Sequence, residues 1–168
     1  MAVVKTADSA PRVSVIMAVY NGENHVREAI DSILDQTMPD VELIIVDDAS
    51  TDSTPSILAE YLGKDQRVRV ITNESNAGPA SRNRAIQAAR AAFIAIQDAD
   101  DVSAPERLEK QLRFLEEHGE VGVVFTGYVV TDAELNPIGE RFPPTDSSSF
   151  ATAMKNKTGL HYATVMFR

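Results

Sequence analysis

Four apolar runs of strand length divide the N-terminal part of this chain, and they limit its fold more than any other feature. They occupy residues 13–19, 43–46, 68–71 and 93–97. Between them, apolar side chains recur at helical spacing, as in Val26, Ala29, Ile30 and Ile33. Strands that alternate with helices on connections of this length predict an α/β fold, with a mostly parallel sheet, right-handed crossovers and helices on both faces.

The remaining boundaries follow from turn and capping residues. Helices are predicted to stop before Pro39, to begin at Thr54 and Pro55, to span about 79–91, and to run from Pro105 to near Gly119. Residues 121–125 and 128–130 predict a further strand or strand pair, 131–159 a long loop or short hairpin, and 164–167 a last strand. We expect a mobile tail over residues 1–10 and a single domain over 11–168.

Polar residues follow each of the four strands. These clusters occupy residues 21–23, 47–48, 73–76 and 98–101. The carboxyl ends of parallel strands lie at one edge of a sheet, where α/β proteins bind ligands near a topological switch point. The sequence therefore predicts a binding site at this edge.

The most charged of these clusters is the acidic turn, residues 98–101. It places Asp98, Asp100 and Asp101 within four positions. Carboxylates about 4 Å apart at an effective dielectric constant of about 20 repel by roughly 4 kcal/mol, so the turn needs full solvation, a shifted protonation state or a cation. Alternation puts Asp98 and Asp100 on one side of extended backbone, and oxygen ligands suit a Mg²⁺ or Mn²⁺ ion that bridges a diphosphate.

Composition and missing motifs exclude several kinds of function. A net charge of −9 argues against a nucleic-acid partner. No apolar run is long enough to span a membrane, and the absence of cysteine suits a reducing, cytoplasmic compartment. The chain also lacks the glycine pattern of a dinucleotide site and the lysine-containing pattern of a P-loop.

Other candidate residues have two interpretations each. Asp47 and Asp48 either cap the turn after their strand or accept hydrogen bonds from a nucleotide base or ribose. Arg82 and Arg84 lie either on a solvated helix face or beside a bound anion. The three histidines, His25, His118 and His161, are expected to be surface or cap residues.

An ordered set of motifs resembles glycosyltransferase family 2. It comprises residues 11–21, 29–37, 42–52, 76–78, 82–83, 98–101, 105–108 and 161–168, and covers nearly all of the chain from Pro11 onward. The resemblance implies a GT-A fold and inverting transfer of a sugar from a nucleotide-diphosphate donor, with a UDP-sugar as first choice and Mg²⁺ or Mn²⁺ as cofactor. It also implies a saccharide or lipid-linked acceptor and a role in cell-surface polysaccharide biosynthesis, in the cytoplasm or at the cytoplasmic face of the membrane.

The resemblance assigns roles to individual positions. Residues implied to bind the nucleotide sugar are Ala18, Val19, Tyr20, Asn21, Glu23, Asp47, Asp48, Arg82 and Asp98. Asp48, with Asp47, would contact the base, and Asp98 the ribose or donor sugar. Asp100 would bind the donor through the metal, with Asp101 close by. Ala18 departs from the family, in which proline or a polar residue is common.

The catalytic base of the family is expected beyond Arg168, so we interpret the chain as the donor-binding part of a longer enzyme. Two alternatives stay open at this point. The chain could be a non-catalytic nucleotide-binding module. A haloacid-type phosphotransferase, with Asp98 as nucleophile, fits less well, because four predicted elements precede the motif and few residues follow it.

Overall fold

The computed structural model describes residues 10–156 and 160–168. Eight strands and five α-helices are present in these ranges. The strands are β1 (Val13–Val19), β2 (Val41–Asp47), β3 (Val68–Thr72), β4 (Phe93–Asp98), β5 (Val123–Phe125), β6 (Tyr128–Thr131), β7 (Pro137–Arg141) and β8 (Val165–Phe167). The helices are α1 (Val26–Leu34), α2 (Thr54–Lys64), α3 (Ser81–Ala88), α4 (Arg107–Glu117) and α5 (Ser147–Asn156).

Six strands form one sheet in the order β3-β2-β1-β4-β8-β5. Strands β1 to β4 are parallel, whereas β8 runs antiparallel to both β4 and β5. The predicted mostly parallel sheet is confirmed. The chain moves from β1 to β2 on one side and later enters β4 on the other, so the topological switch point lies between β1 and β4.

Apolar side chains form a core on each face of the sheet. On one face, Met17, Leu43 and Ile45 pack with buried side chains of α1, α2 and α4, such as Ile30 and Leu112. On the other face, a smaller cluster surrounds Ala85 of α3. The prediction of helices on both faces is therefore confirmed, and these helices hold the carboxyl ends of the central strands in a fixed frame.

Residues 131–156, the described part of the region predicted as a long loop or short hairpin, differ from that prediction. A hairpin forms a separate two-stranded sheet, but its first strand, β6, is the strand predicted at 128–130, and helix α5 was not predicted. Asp146 explains this helix, because its carboxylate accepts hydrogen bonds from the Ser149 amide at 2.8 Å and the Ser148 hydroxyl at 2.7 Å. The serines that predicted a loop thus belong to a capped first turn.

Two further expectations concern the chain termini and membranes. The predicted mobile tail falls outside the described residues, except for Ala10. Within residues 10–156 and 160–168, no helix combines the length and apolar character needed to cross a membrane.

Glu42 forms a buried polar cluster at the opposite edge of the sheet from the strand ends described above. Its side chain is 1% exposed and accepts hydrogen bonds from the Ser14 hydroxyl at 2.7 Å and the Arg90 amide at 2.8 Å. Arg69 and Arg90 each form an ion pair with it at 2.9 Å. Burial favours the protonated acid, but the hydrogen bonds and the arginines more than offset this effect and lower the pKa of Glu42.

We expect Glu42→Gln to reduce the free energy of unfolding by about 2 kcal/mol, because Arg69 and Arg90 lose their buried anionic partner but, being partly exposed, can still be solvated by water. Urea unfolding at neutral pH measures this difference. Glu60→Gln is the matched control, since Glu60 pairs with Arg27 where both side chains are close to half exposed. Its change should stay within about 1 kcal/mol, and equal effects of the two variants would contradict the prediction.

Candidate functional site

The loops after β1 and β2 are fastened to each other. Asn21 has a positive φ of 51°, and its side-chain oxygen accepts a hydrogen bond from the Thr51 amide at 2.8 Å. Glu23 accepts one from the Ser53 amide at 2.9 Å, and Asp47 accepts one from the Ser50 amide at 3.0 Å. These three side chains therefore fix the shape of the strand-end edge.

Asp48 orders the loop that follows β3. Its carboxylate is buried and accepts hydrogen bonds from the Asn73 side chain at 2.6 Å, the Ala77 amide at 2.9 Å and the Gly78 amide at 2.8 Å. Burial alone would raise the pKa of Asp48, but these bonds and one from Ser81 lower it to about 2. Asp48 is thus ionised at neutral pH and holds the loop against the end of β2.

Arg82 connects α3 to the acidic turn. Its guanidinium forms an ion pair with Asp98, which is the last residue of β4. The Nε atom of Arg82 is buried and has no hydrogen-bond partner among the described residues. Arg82 therefore keeps donor capacity for a bound anion at this edge.

His161 joins the acidic turn from a distant part of the sequence. One ligand atom each from Asp98, Asp101 and His161 lie within 4.8 Å of one another, and His161 Nδ1 is 3.8 Å from the nearer Asp101 oxygen. That Nδ1 is buried without a hydrogen-bond partner among the described residues, and the His161 ring lies 4.8 Å from the Tyr128 ring. We call Asp98, Asp101 and His161 the acid–histidine cluster.

The acid–histidine cluster fits a divalent cation. Burial, and the charges of Asp98 and Asp100, raise the pKa of Asp101, with His161 and Arg107 acting in the opposite sense. A cation would relieve this repulsion and would also give the unpartnered His161 nitrogen a bond. Two carboxylates with one imidazole form a donor set suited to Mn²⁺, and a set of oxygen ligands at the same turn would suit Mg²⁺.

Two adjoining cavities form a cleft along the strand ends. One, of about 240 Å³, is lined by the loop after β3, through Asp48, Asn76, Gly78 and Pro79. The other, of about 370 Å³, is lined by Asp98, Ala99 and Asp100 of the acidic turn together with His25. Both share Ala18, Val19, Tyr20 and Arg82. The cleft thus runs from the Asp48 loop to the acidic turn, and Arg82 lies between them.

Most residues singled out from the sequence come together in this cleft. Those that line it are Ala18, Val19, Tyr20, Asn21, Asp48, Arg82, Asp98 and Asp100. Glu23, Asp47 and Asp101 are outside both linings, and Asp101 belongs to the acid–histidine cluster. The roles implied for these residues stay predictions.

His25 is an exposed N-cap residue of α1, as expected, and also lines the cleft. The place of His161 at the acidic turn was not predicted from the sequence. His161 was interpreted as a surface or cap residue, although it begins the last of the matching motifs. The insertion of β8 beside β4 brings the segment that carries His161 into the neighbourhood of the acidic turn.

A family model described as glycosyl transferase family 2 matches residues 14–167. EpsE of Bacillus subtilis strain 168, provisionally named a glycosyltransferase, is 42% identical over 163 residues, which cover 96% of this chain and 58% of EpsE. TuaG of the same strain, provisionally named a teichuronic acid biosynthesis glycosyltransferase, is 38% identical over 147 residues, 87% of this chain and 58% of TuaG. The chain therefore spans less than two thirds of the length of these relatives.

Solved structures share the fold. S. aureus TarS 1–349 in complex with UDP has a TM-score of 0.65 at 30% identity, covering 76% of this chain and 38% of that one. The same part of TarS in complex with UDP-GlcNAc has a TM-score of 0.66. The mannosyltransferase PcManGT from Pyrobaculum calidifontis, in complex with GDP-Man and Mn²⁺, has a TM-score of 0.68 over 95% of this chain and 45% of its own. At 24% identity, this last likeness concerns the fold alone.

Proposed function

Because this chain belongs to glycosyltransferase family 2 and has the GT-A fold, we propose that it binds a nucleotide-diphosphate sugar for metal-assisted, inverting transfer of the sugar to an acceptor. The observation that carries the proposal is the cleft, which joins the Asp48 loop to the acidic turn at the carboxyl ends of β1, β2 and β4. The donor-binding unit is residues 11–168, and the base predicted beyond Arg168 stays a prediction.

The two cavities differ in chemistry, as the two ends of such a donor do. Beyond the residues that both cavities share, the one beside Asp48 is lined by Gly78 and Pro79, which suit the flat face of a base. The one beside the acidic turn adds Asp98 and Asp100, which suit the cation of a diphosphate, and the shared Arg82 lies where it can contact the phosphates. UDP is the first choice of nucleotide, and the bound UDP and UDP-GlcNAc of TarS support it.

A cation at this site would be held by the acid–histidine cluster, with Asp100 beside it on the cavity wall as a further donor. When bound, such an ion supplies Lewis-acid stabilisation of the charge that develops on a leaving diphosphate. The chain's own contribution is orientation. Arg82 offers guanidinium donors to the same phosphates, and its ion pair with Asp98 fixes where those donors point.

The acceptor would be a saccharide or a lipid-linked saccharide of a cell-surface polysaccharide. Support comes from TuaG, named for teichuronic acid biosynthesis, and from the succinoglycan biosynthesis protein ExoO of Rhizobium meliloti, which is 41% identical over 106 residues. That match covers 62% of this chain and 30% of the length of ExoO. We place the reaction in the cytoplasm, at the membrane face where a lipid-linked acceptor would be reached, and the absence of cysteine is compatible with that compartment.

Calorimetric titration of UDP into the protein tests the donor site. We expect heat of binding with Mn²⁺ present and little or none in EDTA, and a rise in the melting temperature only when both UDP and Mn²⁺ are added. GDP and CMP titrated in parallel compare nucleotides. UDP binding that is the same with Mn²⁺ and with EDTA would contradict the metal-assisted site, and no binding of any nucleotide would contradict the donor site itself.

A second measurement separates an enzyme from a nucleotide-binding module. The glycosyltransferase releases UDP from a UDP-sugar when acceptor is supplied, and the module binds UDP without releasing it from the sugar. A beryllofluoride adduct on Asp98 would instead support the haloacid-type alternative.

A further inference from the structure

Gln97 lies directly before the acidic turn but faces the other side of the sheet. Alternation along β4 places Asp98 toward Arg82 of α3, while Gln97 faces α4, from which Arg107 donates a hydrogen bond to it. The Gln97 side chain is buried, with 1% exposure. A buried amide costs free energy unless all its hydrogen bonds are made, so its partners indicate why a polar side chain lies there.

The amide nitrogen of Gln97 holds both ends of the acidic turn. Its Nε2 donates to the carbonyl oxygen of Asp98 at 3.0 Å and to that of Asp101 at 2.7 Å. The turn's own backbone bond, from the Asp101 amide to the Asp98 carbonyl, is 3.3 Å long. Gln97 therefore supplies two of the three bonds that set the separation of the two aspartates.

The amide oxygen of Gln97 is held in turn by α4. It accepts hydrogen bonds from Arg107 Nη1 at 2.9 Å and from the Ser103 hydroxyl at 2.6 Å. Arg107 also donates to the Ile96 carbonyl at 2.7 Å and to Gln111 at 3.1 Å. Burial lowers the pKa of Arg107 to about 10, so it stays charged at neutral pH and keeps its donors.

Gln111 extends this network to the segment that carries His161. Its Nε2 donates to the Thr164 carbonyl at 2.8 Å. The amide and hydroxyl of Thr164 both donate to the His161 carbonyl, at 3.0 and 2.7 Å. A continuous path of hydrogen bonds, buried in the middle and partly buried at both ends, thus joins the acidic turn to His161 through Gln97, Arg107 and Gln111.

The sheet itself does not make this connection. Strand β8 pairs with β4 at Ile94 and Ala95, and this ladder ends before Asp98. His161 precedes β8 by a short 3₁₀ turn, Tyr162–Thr164, so its position relative to the acidic turn depends on contacts outside the ladder. The space between α4 and the sheet is lined mainly by buried leucines. Three polar side chains, Gln97, Arg107 and Gln111, are nevertheless buried there as well.

We propose that Gln97, Arg107 and Gln111 are positioning residues, which set the distance between the acidic turn and His161 and thereby the geometry of the acid–histidine cluster. This inference rests on the proposed function, in which that cluster holds the divalent cation. Side chains that orient metal ligands from outside typically contribute about 10- to 100-fold to metal affinity.

The test is the affinity for Mn²⁺ in the presence of UDP, measured by electron paramagnetic resonance of free Mn²⁺. We expect Gln97→Met and Gln111→Met each to weaken Mn²⁺ binding by about 10-fold or more. Methionine keeps the length and volume of glutamine while it removes the amide. Gln111→Met is the milder change, because Gln97 still donates to both ends of the acidic turn in that variant. If Gln97→Met does not fold, Gln111→Met alone tests the positioning role.

A double-mutant cycle separates positioning from general loosening. Gln111 acts on the cluster through His161, so Gln111→Met should weaken Mn²⁺ binding in the parent protein but not in a His161→Ala background. Glu42→Gln is the control for stability, since it removes a buried polar network at the opposite edge of the sheet and should leave Mn²⁺ affinity unchanged.

The outcomes distinguish this inference from the proposed function. A parent protein that binds no Mn²⁺ with UDP would contradict the proposed function. A parent that binds Mn²⁺, with Gln97→Met and Gln111→Met folded and binding it equally well, would overturn the positioning role alone. Equal weakening by Gln111→Met with and without His161, or weakening by Glu42→Gln as well, would also overturn it.

Discussion

Asp98→Asn is expected to weaken the binding of UDP in the presence of Mn²⁺ by at least about 100-fold, beyond the range typical of residues that merely orient metal ligands. The structure gives Asp98 two tasks, since its carboxylate belongs to the acid–histidine cluster and also forms the ion pair with Arg82. Asparagine has nearly the same shape but no charge, so both tasks fail together while the fold is kept. Calorimetric titration of UDP at fixed Mn²⁺ measures the loss.

Two other variants show whether the loss of UDP binding in Asp98→Asn comes from the position of this carboxylate or from the change in net charge. Asp35→Asn removes the same charge at an exposed site at the end of α1, away from the cleft, and should leave UDP binding unchanged. Asp100→Asn should weaken the dependence on Mn²⁺, because Asp100 lies on the cavity wall next to the cluster. An Asp98→Asn protein that binds UDP with its Mn²⁺ dependence intact would show that the cation is held elsewhere.

The fold was accessible from the sequence because its information is local. Apolar runs and helical stripes alternate along the first four strands, and each strand ends in polar residues, so the parallel sheet and its binding edge follow from the order of elements alone. The same reasoning placed Asp48, Arg82 and Asp98 at one edge, and the structure lines one cleft with them.

His161 could not be found in this way. Its place at the acidic turn depends on β8, a three-residue strand that enters the sheet antiparallel between β4 and β5. No periodicity in the sequence encodes that insertion, which joins residues about sixty positions apart. Helix α5 was missed for a different reason, because its capping residues, Asp146 and the serines after it, are also those of a loop.

The hydrogen-bond partners of the polar residues at the strand ends could not be predicted from the sequence either. They change the interpretation of several residues that had been expected to contact the nucleotide. The resemblance implies nucleotide-binding roles for Asn21, Glu23 and Asp47. In the structure, the side-chain oxygens of Asn21 and Glu23 accept backbone amides of the neighbouring loop, and Asp47 accepts the Ser50 amide of the loop after its own strand. A residue can thus shape a site without reaching into it. Asp48 is the strongest case, since its three short bonds hold one wall of the cleft.

Asp48→Asn is expected to lower both stability and donor affinity. The amide group of asparagine would face at least one of the donors from Asn73, Ala77 and Gly78, so a charge-assisted bond becomes a repulsive contact. Bonds to charged groups contribute about 1.5–3 kcal/mol each, and we expect a loss of about 2 kcal/mol in the free energy of unfolding. UDP affinity should fall about tenfold, because the loop would occupy its binding-competent shape only part of the time.

The dependence on pH gives this prediction a second, independent signature. The pKa of Asp48 is about 2 in the folded protein, below its ordinary value of 3.8, so the stability that it contributes is present above that ordinary value and is lost as the pH falls through about 2. The difference in unfolding free energy between parent and Asp48→Asn should therefore be constant from pH 7 to about pH 4 and shrink below it.

Asp132→Asn is the matched control for Asp48. Asp132 also accepts three hydrogen bonds, from the Glu134 amide at 3.1 Å, the Asn136 amide at 2.8 Å and the Asn136 side chain at 3.1 Å, but it does so in the turn between β6 and β7. Its loss should cost less stability, because those donors are exposed and can bond to water instead, and UDP affinity should be unchanged. If Asp132→Asn weakened UDP binding as much as Asp48→Asn, the effect would come from general destabilisation. A tenfold loss confined to Asp48→Asn would instead mean that this carboxylate, without belonging to the acid–histidine cluster, decides how often the cleft is open to its donor.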